Sequence, residues 1–307
     1  MNTQAKRAKK IKKAPGYIGF TVINITILTL LSLTFVLPFV NIIATSLSSA
    51  EEVKRGIVFL PKGFTSLWYE IILESSPMWR AFGVSVARTV IGCIAGVLVN
   101  YMTAYALSRA TLPFKKGITI FLMIPMFIGA GLVPQYIVYS TLGLVNSFWV
   151  YIVPLAFSYY NVMMIRSYIL GIPESLKESA RLDGANEFTI MFKIMMPLSL
   201  PIIATILLWT AVVHWNNWTD ALIYTKYNSD LWTLQFYLQQ VMVDFKNAAA
   251  DMQKFAEDGR LTGASDSVSA SCVNAALIIF TSLPIVCAYP FLQKYFVSGT
   301  LTGGVKE

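Results

Sequence analysis

Two stretches of the chain hold side chains whose type and spacing suit chemistry. The first is Gly171-Ile-Pro-Glu-Ser-Leu-Lys-Glu-Ser-Ala-Arg-Leu-Asp-Gly-Ala-Asn-Glu-Phe-Thr-Ile-Met-Phe-Lys-Ile-Met-Met-Pro197. Pro173 and Glu174 suit a helix start, with the acid near the positive end of the dipole. Glu178, Ala180 and Asp183, with Leu176 and Leu182, predict a short amphipathic helix that Gly184 ends. A second short helix from Asn186 or Glu187 leads towards Pro197. A helix–glycine–helix element presents a small knob for docking; the plainer reading is a solvated loop joining two spans. The second stretch supplies Trp209, Trp215, Asn216, Asn217, Trp218, Asp220 and Tyr224, and Tyr159, Tyr160 and Asn161 form a further group. Aromatic faces with amides and a carboxylate are the groups that stack on and hydrogen-bond to sugars. The Trp218 end reads equally as an interfacial aromatic belt.

Other chemistries lack their residues. No G-x-x-x-x-G-K-[ST] run is present to cradle nucleotide phosphates. His214 is the one histidine, read as a bundle-packing or pathway residue, and no metal-ligand or catalytic set is expected. Cys93, Cys272 and Cys287 lie in apolar runs without C-x-x-C spacing and read as small buried hydrophobes.

The elements that carry these stretches follow from composition. The chain is 56% hydrophobic and 13% charged, against about 45–50% and about 25% for soluble domains. Too little polar surface remains to cover a water-soluble globule, so an all-α integral membrane unit is expected. Net charge is +8, with Lys6, Arg7, Lys9, Lys10, Lys12 and Lys13 clustered in a basic N-terminal segment, 1–16. Such a cluster before an apolar run anchors beside anionic lipid headgroups. No basic face or zinc motif follows it, so nucleic acid is not an expected partner.

A spanning helix needs about 20 mostly apolar residues. Long apolar runs with at most one charge each place six spans at about 18–46, 83–108, 117–139, 146–168, 197–221 and 271–293, in a domain of 17–300. The first run is too long for a signal-peptide core. Pro125, Pro134 and Pro154 predict kinks, and the turn between the third and fourth spans is expected at Ser140–Ser147. Arg88 is expected near the outer end of the second span, snorkelling, or else acting as a functional intramembrane arginine. Apolar spacing at Leu234, Tyr237, Leu238, Val241, Met242 and Phe245 predicts an amphipathic helix in the external loop 222–270, packed on the bundle or lying in the interface. With both ends inside, inner segments carry fifteen Lys and Arg and outer ones eight, consistent with basic loops in the cytoplasm. The tail 301–307 is then cytoplasmic, reaching a partner or fraying.

The run Glu178-Ser179-Ala180, three residues, Gly184, nine residues, Ile194-x-Met196-Pro197 resembles the E-A-A-x3-G-x9-I-x-L-P motif of ATP-binding-cassette importer permeases, departing at Ser179 and Met196. Ile172-Pro-Glu-Ser-Leu, Asp183-Gly-Ala and Trp215-Asn-Asn-Trp218 resemble the carbohydrate-importing, MalG-like branch. The ending from Tyr289-Pro-Phe-Leu-Gln-Lys to Gly299 is similar to its LplC-type subgroup, which handles complex or acidic oligosaccharides. The resemblance implies a type I ABC importer (MetI-like) permease fold of six spans in a bacterial cytoplasmic membrane, both termini cytoplasmic. It implies a MalF-like second permease, two ATPase subunits that hold ATP and Mg, and an extracytoplasmic sugar-binding protein, with no cofactor and no ATPase activity on this chain. The loop 171–197 would be the coupling element, with Glu178, Ser179, Ala180, Asp183, Gly184, Ile194 and Pro197 its motif positions. Tyr160, Asn161, Trp209, Trp215, Asn216, Asn217, Trp218 and Asp220 are candidates for the substrate pathway.

Two other classes of protein would leave different marks. An ion-coupled secondary transporter or channel would show paired intramembrane acids or inverted repeats, and a membrane enzyme a His or Asp cluster at the membrane face. Neither pattern is visible in the sequence.

Overall fold

In the computed structural model, residues 15–244, 271–287 and 290 are described, and every regular element among them is helical. The basic N-terminal cluster, the external loop beyond 244 with Phe245, the ending from Tyr289 to Gly299 apart from Pro290, and the tail lie outside the described residues.

The first apolar run forms α1 (Pro15–Ser46), 32 residues long. At 1.5 Å per residue it measures about 48 Å, ample for a hydrocarbon core of about 30 Å. Its sides are exposed apolar residues from Phe20 to Phe39, and burial begins only near Ala44 and Ser46. Thr21, Thr26, Ser32 and Thr34 turn their hydroxyls onto carbonyls four residues back, so these four need nothing from lipid. Two short helices follow, α2 (Ala50–Lys54) and α3 (Leu67–Glu74). The Trp68 indole N–H donates to Ser48 O at 2.8 Å and ties α3 to the end of α1.

Next comes α4 (Ser76–Ser108), 33 residues long. The third apolar run is broken: α5 (Lys115–Phe127) and α6 (Leu132–Thr141) meet at 117°. Pro125 removes a helical donor, and Gly131, at φ +81°, reverses the chain in a region closed to most side chains. The turn expected at 140–147 is present, with Gly143 and Asn146 at positive φ. The fourth run bends by 47° between the 3₁₀ turns over Phe148–Leu155 and α7 (Tyr159–Leu170). Then follow α8 (Ser175–Leu182), α9 (Glu187–Thr189), a wide π-type turn over Ile190–Met195, α10 (Met196–Leu198) and α11 (Leu200–Asn216). An 81° bend separates Glu187–Leu198 from α11. A second π-type turn covers Ala221–Thr225. The expected amphipathic helix is α12, over 234–244; Leu234 and Leu238 are buried, with Tyr237, Val241 and Met242 packed beside them. It therefore packs on the bundle. Last is α13 (Ser271–Cys287). Cys93 and Cys272 are buried as expected, whereas Cys287 is exposed, near exposed Leu283 and Val286 on α13.

Within lipid the solvent for the helix sides is itself apolar, so helix pairs are held by close packing and internal hydrogen bonds. α4 is built for both. Gly92, Gly96, Asn100 and Ala104 recur every four residues and share one face. α11 runs antiparallel along this face, with His214 opposite Gly92 and Thr210 opposite Gly96. Asn100 repairs the break before α7. Its Nδ2 donates to Ala156 O at 3.2 Å, and the Ser158 N–H donates to its Oδ1 at 2.8 Å. Backbone groups freed by the bend thus find a partner inside the protein.

A β-carbon at Gly92 would overlap the buried His214 ring, whereas one at Gly96 would rest 3.4 Å from Thr210 Cγ2, at the edge of ordinary contact. Gly92→Ala is expected to lower stability by about 1–3 kcal/mol, Gly96→Ala much less, and His214→Ala to relieve the Gly92→Ala defect. Thermal unfolding of the purified variants in detergent measures the three.

Candidate functional site

The knob predicted at 171–197 has a defined shape. α8 turns Lys177 and Ala180 inward and leaves Leu176, Glu178, Ser179, Leu182 and Asp183 exposed. Lys177 is only 4% exposed because it lies along the bundle, its Nζ 2.9 Å from Glu174. Ala180 joins a core cluster with Tyr105, Ile169 and Ile190, and Ile194 packs against that cluster. Helix α8 closes in a Schellman arrangement: Ala185 N–H donates to Ala180 O and Gly184 N–H to Arg181 O, both at 3.0 Å. Gly184 stands at φ +80°, with open space within 4 Å of where a β-carbon would stand. Its requirement is therefore conformational rather than steric within this chain. Asn186 caps α9 by accepting from Thr189 N–H at 2.8 Å. Pro197 sits exposed at the start of α10, within the bent segment ahead of α11.

Behind the knob lies a carboxylate whose role the sequence did not reveal. The Tyr105 hydroxyl donates to Glu187 Oε2 at 2.8 Å. Arg109 and Arg181 approach Glu187 Oε1 at 2.9 and 3.3 Å. Partial burial works to raise the Glu187 pKa, but the Tyr105 hydroxyl and the two guanidinium groups outweigh it and hold the carboxyl below the ordinary glutamate value. The nearby end of α4 is capped by cations: Arg166 Nε donates to Leu107 O at 3.0 Å and Lys115 Nζ to Arg109 O at 2.9 Å.

The pathway candidates divide. Tyr160, Asn161 and Trp209 line one cleft of about 540 Å³, together with Ser158, Thr210 and His214. The Tyr160 and Trp209 rings lie 6.0 Å apart, tilted by 31°, and form an aromatic shelf with amide and hydroxyl groups beside it. The side chains that line it include no Asp, Glu, Lys or Arg among the described residues. Trp215 instead donates its indole N–H to Thr281 O at 3.0 Å and packs among Trp68, Met78 and Leu234. Asn216 is exposed, and Trp218 packs against the Tyr151 cluster.

Asn217 and Asp220 belong to a buried polar network centred on Arg88. Arg88 does not snorkel: its side chain is 0% exposed and pairs with Asp220. It also donates to Asn217 O at 2.8 Å and lies 4.6 Å over the Tyr151 ring. Asn217 Nδ2 supports Asp220 at 2.9 Å, and the Tyr151 hydroxyl reaches Thr225 and Leu231 O. An unpaired buried guanidinium is costly, and here a carboxylate, a carbonyl and a π face offset that cost. The signal in the sequence was two lone opposite charges, Arg88 and Asp220, at the edges of separate apolar runs.

The model of the family described as "Binding-protein-dependent transport system inner membrane component" matches residues 88–301. The polygalacturonan/rhamnogalacturonan transport system permease protein YtcP of Bacillus subtilis (strain 168) is 34% identical over 280 residues, spanning 91% of this chain and 95% of that protein. Protein LplC of the same organism is 33% identical over 293 residues, spanning 94% and 95%. A solved structure of a bacterial ABC transporter involved in the import of the acidic polysaccharide alginate contains a chain with a TM-score of 0.83 and 27% identity, covering 94% of this chain and 100% of that one.

Removing one member of a buried ion pair strands the other. Arg88→Leu is expected to cost about 3–5 kcal/mol, and Arg88→Leu with Asp220→Leu to recover most of it. Detergent unfolding of the single and double variants provides the cycle.

Proposed function

The chain belongs to the binding-protein-dependent transport system inner membrane components, and on that premise we propose that it forms one half of an oligosaccharide-conducting pore driven through its 171–197 loop. It is a multi-pass inner membrane permease of an ABC importer. The ion-coupled alternative is thereby set aside. The working complex comprises this chain, a MalF-like second permease, two ATPase subunits carrying ATP and Mg, and an extracytoplasmic sugar-binding protein. ATP hydrolysis belongs to the ATPase subunits, and this chain carries no cofactor. Both of its termini and the 171–197 loop face the cytoplasm, in line with the basic loops.

The observation that carries the reading is the knob itself. Exposed Leu176, Leu182 and Phe188 flank exposed Glu178, Ser179, Asp183 and Gly184. An apolar tip with one acidic side suits an ATPase groove with a basic rim. Ala180 and Ile194 seat the knob on the bundle, and Gly184 and Pro197 set its two changes of direction.

For the cargo, the names of the relatives point to polygalacturonan, rhamnogalacturonan and the acidic polysaccharide alginate, and an oligosaccharide of that kind is proposed here. The cleft of Tyr160, Asn161 and Trp209 suits the apolar face and hydroxyls of a sugar ring. Because its described lining offers no Lys or Arg, charge on the cargo is read by the binding protein or the second permease. Asn216 and Trp218 remain candidate contacts at the outer mouth. Trp215, Asn217 and Asp220 serve by shaping the wall.

Gly184→Ala forces a side chain into the left-handed region at a cost of about 1–2 kcal/mol. With Glu178→Ala, it is expected to leave the permease inserted while lowering uptake in proteoliposomes containing all subunits; unchanged uptake and unchanged ATP hydrolysis would sink the coupling assignment. Trp209→Ala is expected to lower uptake of an oligogalacturonide or alginate oligomer about tenfold or more, as loss of an aromatic stacking surface does, with ATPase assembly intact. Equal uptake by the variant and the parent would remove the cleft from the pathway.

A further inference from the structure

We infer that Glu187 is a positioning residue that locks the coupling knob to the inner end of α4, so that a displacement of α8 is delivered to α4 directly. The inference rests on the reading of the 171–197 loop as the coupling element, and concerns where the motion goes next.

Two routes lead from α8 into the bundle. The covalent one runs to α11 through the π-type turn over Ile190–Met195 and the 81° bend. Wide turns and bends are compliant, and a push on one end is partly absorbed there. The other route crosses space through one carboxylate. Glu187 Oε2 accepts from Tyr105 on α4, and its Oε1 is shared by Arg109, which caps α4, and Arg181 on α8. Three elements thus meet on two oxygen atoms. The apolar contacts run the same way: Ala180 of α8 packs with Tyr105 and Leu107 of α4 and with Ile190. Arg166 and Lys115 donate to the carbonyls of Leu107 and Arg109 at the same end of α4, so that end is also tied to α5 and α7.

A purely local role would be to neutralise the surrounding basic groups, Arg109, Lys115, Arg166 and Arg181. That role predicts no change in how α4 follows α8. The distinction is measurable in the assembled importer, in a background without native cysteines, with spin labels at exposed Met102 on α4 and exposed Ser175 on α8. The probe is ATP with vanadate, compared with nucleotide-free protein. The lock predicts that the label separation in the parent stays the same in both states. Glu187→Ala keeps the ATPase subunits bound, but its label separation changes with nucleotide. The share of ATP hydrolysis stimulated by the binding protein falls about tenfold, a typical coupling free energy. Arg109→Glu with Glu187→Arg restores the fixed separation. Tyr105→Phe, which removes a single hydrogen bond, shows an intermediate change and serves if Glu187→Ala fails to insert. A separation that moves in the parent, or that stays fixed in both Glu187→Ala and Tyr105→Phe, overturns the lock and leaves the coupling reading standing. Loss of nucleotide-driven stimulation in the parent assembly, or indifference to Gly184→Ala, would instead remove the coupling reading itself.

Discussion

The close approach of α11 to α4 at Gly92 and Gly96 is the contact on which the other parts depend. Apolar side chains gain little by leaving lipid for another apolar surface, so the two helices need atoms in direct register rather than a hydrophobic drive. Glycine at 92 leaves room for the His214 ring, and glycine at 96 accepts the Thr210 methyl. With α11 so placed, α4 becomes a spine whose successive levels hold different parts of the protein. Ser85 and Arg88 hold the segment from Asn217 to Leu234. Asn100 holds the broken fourth run, and Tyr105 and Arg109 hold the 171–197 loop through Glu187.

Each of those attachments answers the same demand. A membrane helix that bends exposes backbone groups that lipid cannot satisfy, and a charge at depth has no water. Here the bend before α7 and the charge on Arg88 are both met by groups from distant parts of the chain. The result is that irregular backbone appears where the protein wall is shaped, at 156–158 and 217–225, and the aromatic cleft opens next to the first of these.

Much of this was legible in the residues themselves. Apolar runs located the helices because burying a charge without a partner is costly. The shape of the 171–197 loop was legible because Gly184 and Pro197 act through their own backbone and Glu178 stands exposed. What could not be read were relations between remote residues. Nothing local tells Arg88 that Asp220 will face it, and the expectation of snorkelling failed for that reason. Glu187 reads as one more helix-starting acid until Tyr105 and Arg109 are brought beside it. The 117° break between α5 and α6 was partly visible in Pro125, but its size depends on Gly131 adopting a positive φ, which sequence permits without requiring. Between Trp209 and Trp215, the split between the cleft and the packed core follows from which side of α11 each occupies.

The pairing of Arg88 with Asp220 has an electrical side. Moving one elementary charge through a membrane potential changes its energy by about 2.3 kcal/mol per 100 mV. A lone arginine on a moving helix would therefore tie the rate of the cycle to the cell's voltage. Joined to its carboxylate, it travels as a small dipole of zero net charge. A rearrangement that translates α4 and the 217–225 segment together moves no net charge through the membrane potential at this pair.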